Sequence, residues 1–245
     1  MARAREHLQH APIVEAIIDF RVRRSSSVSA ETFSNMTSLL DGDYVRDSLV
    51  RSFEARFGID EGRVTGSPPI HSELGWNYKK QGAVGQFRVD GFTFSKLDPY
   101  TDWNHVFGEA WRLWKAYAAV GNPSEVHRIA VRYVNRLRVQ GTTDLAEYLV
   151  APPSFPIPVP QTVREFVSRV VVEDSETNAS AVIVQASEAT LEPSTKNLLL
   201  DIDAYRTVTL QPLQDNIPEL FEQLRSLKNR IFFACITERT AEMYE

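Results

Sequence analysis

Between positions 12 and 22 the chain alternates. Val14, Ala16, Ile18, Phe20 and Val22 fall on one side of an extended backbone, and Ile13, Glu15, Ile17, Asp19 and Arg21 fall on the other. A period of two with β-branched and aromatic residues predicts a strand with one fully apolar face. A serine cluster at 25–29 ends it. Val45, Leu49, Phe53 and Phe57 then recur every fourth residue. That spacing predicts helix over 30–57, broken into two pieces near Asp41-Gly42-Asp43, with Gly58 as its C-cap glycine. Pro68-Pro69 marks the next boundary. Three short strands follow at about 70–79, 83–90 and 92–97, separated by Gly82 and by Asp90-Gly91, a pair that favours a tight hairpin.

The clearest helix begins after Asp102, a residue suited to N-capping. Trp103, Phe107, Ala110, Trp111, Trp114 and Ala118 form its apolar stripe, and Gly121-Asn122-Pro123 stops it. The second half opens as the first does, with a long alternating strand over 126–139. A short helix at 143–149 leads to five prolines in the nine residues 152–160, which predict an extended, polyproline-like connector. Strands at about 163–173, 180–187 and 197–204 precede a last helix. Asn216 and Glu219 have capping-box spacing there, Pro218 sits in the first turn, and Ile217, Leu220, Phe221, Leu224, Leu227 and Ile231 give the buried stripe.

Both halves therefore read as strand, helix, three strands, long helix, with no residue-level similarity between them. The fold class expected is α+β: two pseudo-repeated β-α-β-β-β-α units, at 1–122 and 123–245, with a mainly antiparallel sheet and long helices packed on it. The connector at 152–160 lies inside one compact body.

Composition narrows the functional classes. The chain has 245 residues, 43% of them apolar and 24% charged, which is enough for a sizeable core. Its formal charge of -5 gives no general electrostatic reason to bind a polyanion. A single cysteine, Cys235, excludes an intrachain disulfide and a thiolate metal cluster. The charged start has no apolar stretch of signal-peptide length, and no window approaches a membrane span, so the expected home is the cytoplasm. Walker A, GxGxxG, GxSxG and HExxH sequences are absent, and neither cofactor nor metal is expected.

One pattern carries chemistry. In the second opening strand Ile129, Val131, Tyr133, Asn135 and Leu137 share one face, while Arg128, Arg132, Arg136 and Arg138 share the other with Ala130 and Val134. A row of guanidiniums grips phosphates or carboxylates bidentately. The same row also serves as the structural partner of acids on neighbouring strands, with Glu15 and Asp19 the first candidates. Asn135, on the apolar face, is either a satisfied core amide or part of a polar pocket. His71 with Glu73, and His105 with Glu109, are spaced for surface pairs more readily than for acid–base work. Cys235 reads as a core thiol, the tryptophans of the first long helix as core, and Trp76 and Tyr78 as core or the lining of a groove.

Four segments resemble an uncharacterised bacterial family, the sporadically distributed conserved hypothetical proteins. They are Ala11-Pro12-Ile13-Val14-Glu15-Ala16-Ile17-Ile18-Asp19-Phe20-Arg21, Trp111-Arg112-Leu113-Trp114-Lys115-Ala116-Tyr117, Arg128-Ile129-Ala130-Val131-Arg132-Tyr133-Val134-Asn135-Arg136 and Phe233-Ala234-Cys235-Ile236-Thr237-Glu238. The resemblance spans nearly the whole chain and implies no chemistry. The patchy distribution in the family's name is associated with accessory and defence-type loci.

The expectation is a non-catalytic binding or regulatory module acting through a protein partner. Two alternatives stand beside it. One is a nucleic-acid or nucleotide-binding protein using Arg128, Arg132 and Arg136. The other is an enzyme with a site assembled from Glu15, Asp19, Arg132 and Asn135.

Overall fold

The computed structural model describes residues 8–24, 27–54, 57–60, 63–66, 70–140, 144–160, 163–188 and 195–245. Nine strands form one antiparallel sheet in the order β2-β5-β6-β7-β1-β8-β11-β10-β9. They are β1 (Ile13–Val22), β2 (Val45–Glu54), β5 (Ile70–Lys80), β6 (Ala83–Arg88), β7 (Gly91–Leu97), β8 (Val126–Gln140), β9 (Val167–Asp174), β10 (Ala179–Glu188) and β11 (Thr195–Leu210). A separate two-stranded ribbon pairs β3 (Phe57–Asp60) with β4 (Arg63–Gly66). The fold is α+β with a mainly antiparallel sheet.

The strand at 12–22 lies at the centre of the sheet, between β7 and β8, and both of its neighbours run antiparallel to it. Its alternating pattern has the expected result: Ala16, Ile18 and Phe20 are fully buried, and the Glu15/Asp19 side faces the opposite way. Two long helices, α1 (Trp103–Gly121) and α2 (Ile217–Cys235), cover the apolar face. Helix α1 packs on β7 and β1, and α2 packs on β11 and β8. Phe20 joins them, stacking on Trp114 of α1 at 4.0 Å between ring centroids and meeting Phe221 of α2 at 4.9 Å. A one-sided sheet of this kind buries one face and leaves the other to solvent. Asp102 caps α1 by accepting from the His105 backbone N–H at 2.9 Å.

The segment at 30–57 departs from expectation. It forms two short 3-10 turns, Ala30–Phe33 and Thr37–Leu40, followed by the edge strand β2, and Gly58 lies in β3. The physical reason is that a spacing of four satisfies two periods at once. Every fourth residue shares a helix face, and it also shares a strand face. Two members of the supposed stripe are exposed, Val45 at 66% and Phe53 at 67%, and Leu49 is half-buried. Of the helix expected at 143–149, the described residues 144–149 form only a 3-10 turn, Leu145–Glu147. Among the described residues, neither half therefore has an α-helix in second position. The proline run also departs from a fully extended path, since Val159 N–H donates to Pro156 O at 2.9 Å and closes a turn. Pro68-Pro69, His7 and part of the 25–29 serine cluster lie outside the described residues.

Among the described residues, no helix is long and apolar enough to cross a membrane. A third helix, α3 (Glu238–Glu242), is a single short turn packed near Tyr148.

Candidate functional sites on the two faces of the central strands

The arginine comb stands on the open face of β8. Each of its first three members meets a carboxylate. Arg128 donates to Asp19 of β1 at 3.2 Å and to Asp203 of β11 at 2.9 Å, with its guanidinium over the Tyr205 ring. Arg132 forms a bidentate pair with Asp201 of β11 at 2.9 and 2.6 Å. Arg136 reaches across β11 to Glu188 of β10 at 2.6 Å. Of the two first-strand acids, Asp19 is the centre of the network. It accepts from Arg21, Arg128 and Thr93, and it lies 3.5 Å from Arg88. Glu15 contributes only a longer-range field at Arg132.

Glu15, Asp19, Arg128, Arg132 and Asp203 line a trough of about 500 Å³ with Ile17, Gln86 and Ser95. Burial holds the Asp203 carboxyl above its usual range, although Arg128 and Arg132 pull it down. Asp201 and Asp203 were not anticipated. Their signal was the Asp201-Ile202-Asp203 alternation in a strand expected at 197–204, which places two acids on one face. Asn135 lies on the other side of the sheet, 2% exposed, where its amide donates to the Tyr133 and Leu200 carbonyls. The sheet thus divides the four residues of the proposed enzyme site, with Glu15, Asp19 and Arg132 on one face and Asn135 on the other.

The second site is a cavity of about 60 Å³ on the helix-covered face. It is lined by Tyr133 and Asn135 of β8, Arg225, Lys228, Asn229 and Phe232 of α2, Tyr100 before α1, and Leu8, Ala11 and Ile13. Lys228 is 6% exposed and holds its ammonium 3.7 Å from the centroid of the Tyr133 ring. Burial, with a smaller contribution from Arg225, pulls its amine down to about 7. Tyr100 and Tyr133 share a hydrogen bond of 3.1 Å, and burial raises both hydroxyls above their ordinary range. Sequence reading passed over Lys228. Its signal was position, since it lies four residues after Leu224 and four before Phe232, inside the apolar stripe of α2.

The remaining candidates are structural. Tyr78 is fully buried, accepting from the Met36 backbone N–H and donating to Phe33 O. His71 and Glu73 are exposed, and His71 packs edge-on against Phe53. Glu109 takes Lys80, Arg112 and Tyr44 in place of His105. Burial pushes its carboxyl up, but those hydrogen bonds outweigh it and hold the group at about 2. Burial raises the Cys235 thiol, which disfavours the nucleophilic thiolate. Among the described residues, no group of three His, Cys, Asp or Glu side chains is placed to hold a metal.

Fold and sites together define an α+β protein with a one-sided sheet, a neutralised ionic face and a small cation-lined cavity beneath its last long helix. Compared with known proteins, the chain matches no family model and no curated protein.

Proposed function

We propose that the protein is a non-catalytic binding or regulatory module that acts through a protein partner engaged on the open face of the sheet. One observation carries this reading: Arg128, Arg132 and Arg136 are each neutralised by a carboxylate of another strand of the sheet. A polyanion would have to displace Asp201 from a bidentate pair before it could reach Arg132, whereas a protein surface can match fixed charges of both signs. Complementary charge of that kind gives specificity and association rate more than raw affinity. The arrangement also speaks against the arginine-gripped nucleic-acid reading, and the division of Glu15, Asp19 and Arg132 from Asn135 speaks against the assembled enzyme site.

In the same reading the protein is cytoplasmic, belongs to the sporadically distributed conserved hypothetical family, and works in an accessory or defence-type locus. The chain is a pseudo-duplication of two units, 1–122 and 123–245. Support comes from the sheet order, in which each half places its opening strand at the centre beside its own closing strand, and from the long helix that follows each closing strand.

The test is affinity capture from the native host, with nuclease-treated lysate and the wild-type protein beside an Arg132→Glu/Arg136→Glu variant of verified fold. A defined protein retained by the wild type, and reduced about tenfold or more by the double reversal, is the expected result. Recovery of nucleic acid from untreated lysate with no protein after nuclease would sink the reading, as would identical capture by both forms.

A further inference from the structure

Lys228 is a buried cation, 6% exposed, on the face of α2 that packs against β8 and β11. Lysines are almost never buried this completely without a partner. Among the described residues it makes neither a hydrogen bond nor an ion pair, and its ammonium rests on the face of Tyr133. The charged side chains lining the cavity, Lys228 and Arg225, are both cationic, and the nearest acid on α2, Glu222, is engaged by Arg225 at 2.7 Å. Desolvating a cation with no counter-charge is expensive. A cavity that concentrates positive charge, with no carboxylate in its lining among the described residues, is complementary to an anion from outside.

We propose that the cavity bounded by Lys228, Tyr133, Asn135 and Tyr100 is a binding site for a short aliphatic carboxylate, with the Lys228 ammonium as its counter-ion. This goes beyond the partner reading and does not depend on it. The polar inventory fits such a ligand. Tyr100 and Tyr133 share one hydrogen bond, so one hydroxyl proton is left for an incoming oxygen. Both Asn135 amide hydrogen bonds go to carbonyls, which leaves its Oδ1 as an acceptor for a hydroxyl on the ligand. Leu8, Ala11, Ile13, Phe232 and Phe233 supply an apolar wall for the hydrocarbon part. The volume of about 60 Å³ corresponds to about four to six water-sized positions, which suits an acid of two to four carbons. A single unpaired ammonium matches one negative charge. Inorganic phosphate brings more charge than the site can neutralise and has no use for the apolar wall.

Protonation sets the pH dependence. Among the described residues, the groups facing Lys228 are Arg225 on its own helix, Tyr133 on β8 and Tyr100 before α1, and Leu8, Ala11 and Ile13 bring no charge. With the amine held at about 7 by its burial, the carboxylate must bind the protonated form. Affinity therefore falls about tenfold for each pH unit above that value, and binding draws a proton from the buffer.

Isothermal titration of the full chain with propionate, with lactate and with inorganic phosphate, at about pH 6 and about pH 8.5, tests the site. Saturable binding of propionate or lactate at the lower pH, weakened by about tenfold or more at the higher, is expected. Lys228→Met, which fills the same volume without charge, is expected to abolish it. No saturable binding of either acid at the lower pH, an affinity indifferent to pH, or phosphate binding as tightly as the carboxylates would each overturn the proposal. So would a folded Lys228→Met protein that binds as the wild type does. The pH series on the wild type decides the matter even if that variant fails to fold.

Discussion

A buried lysine leaves a signature in stability as well as in binding. In the unfolded chain its amine has the ordinary value of 10.5, and in the native protein it falls to about 7. Between those two values the unfolded state carries the proton and the native state does not, so stability rises with pH across that window. Below about 7 both states are charged and the full desolvation cost is felt. Lys228→Met removes that cost. The variant is expected to be more stable than the wild type near pH 6, on the order of a few kcal/mol, with the advantage shrinking as pH approaches 10. Paired denaturant titrations across that range check it; a constant difference would mean that the amine does not titrate in the window. This residue also shows what pattern reading misses. Asn135 stood out because a polar side chain interrupted an alternating apolar strand, whereas Lys228 interrupts a helical stripe, where long aliphatic stems are common and unremarked. The comb of Arg128, Arg132 and Arg136 was legible from alternation alone. Its partners Asp201, Asp203 and Glu188 were not, because which strands lie side by side is decided by the whole sheet.

The long helices, whose stripes allow a single period, were read correctly, and the stretch with two possible periods was not. The α1 stripe, at spacings of four, three and one, fits only a helix, and it forms one from Trp103 to Gly121. The spacing of four in 45–57 fits both, and the edge of a large sheet claimed its first part, Val45–Glu54, as β2. The Asp90-Gly91 hairpin was marked by chemistry that no period can imitate. Gly91 has φ +152°, and a Cβ built there would lie 2.1 Å from Phe20 O across the β7–β1 pairing. Asp90 meanwhile accepts from Arg21 and Arg88, tying the turn to the ionic face. Gly91→Ala is expected to cost about 2–4 kcal/mol, because backbone on one of the two central strands must move. Chemical denaturation measures it directly. A loss within the usual surface range of about 0.5 kcal/mol would show that the hairpin relaxes around the methyl.

At the scale of the molecule, the division at 122/123 cuts one sheet between its two middle strands. It also cuts one core, since Phe20 and Phe107 of the first half both pack against Phe221 of the second. Chains spanning 1–122 and 123–245 are therefore expected not to unfold cooperatively when separate, and to regain a cooperative transition when mixed. Circular dichroism during thermal melts distinguishes the cases, and an isolated half with its own sharp transition would show two autonomous domains. The central strand has a further consequence, in time and not in space. β1 precedes both of its partners: Ile18 must wait for Phe94 on one side and Val131 on the other. Until then its backbone donors and acceptors have only water, and its apolar face has only collapsed chain. Pairings so distant in sequence are the slow kind, closing over milliseconds to seconds where local helices need microseconds. Residues 13–22 are thus the stretch most exposed to mispairing in an emerging chain, and the natural place for a folding helper to hold it.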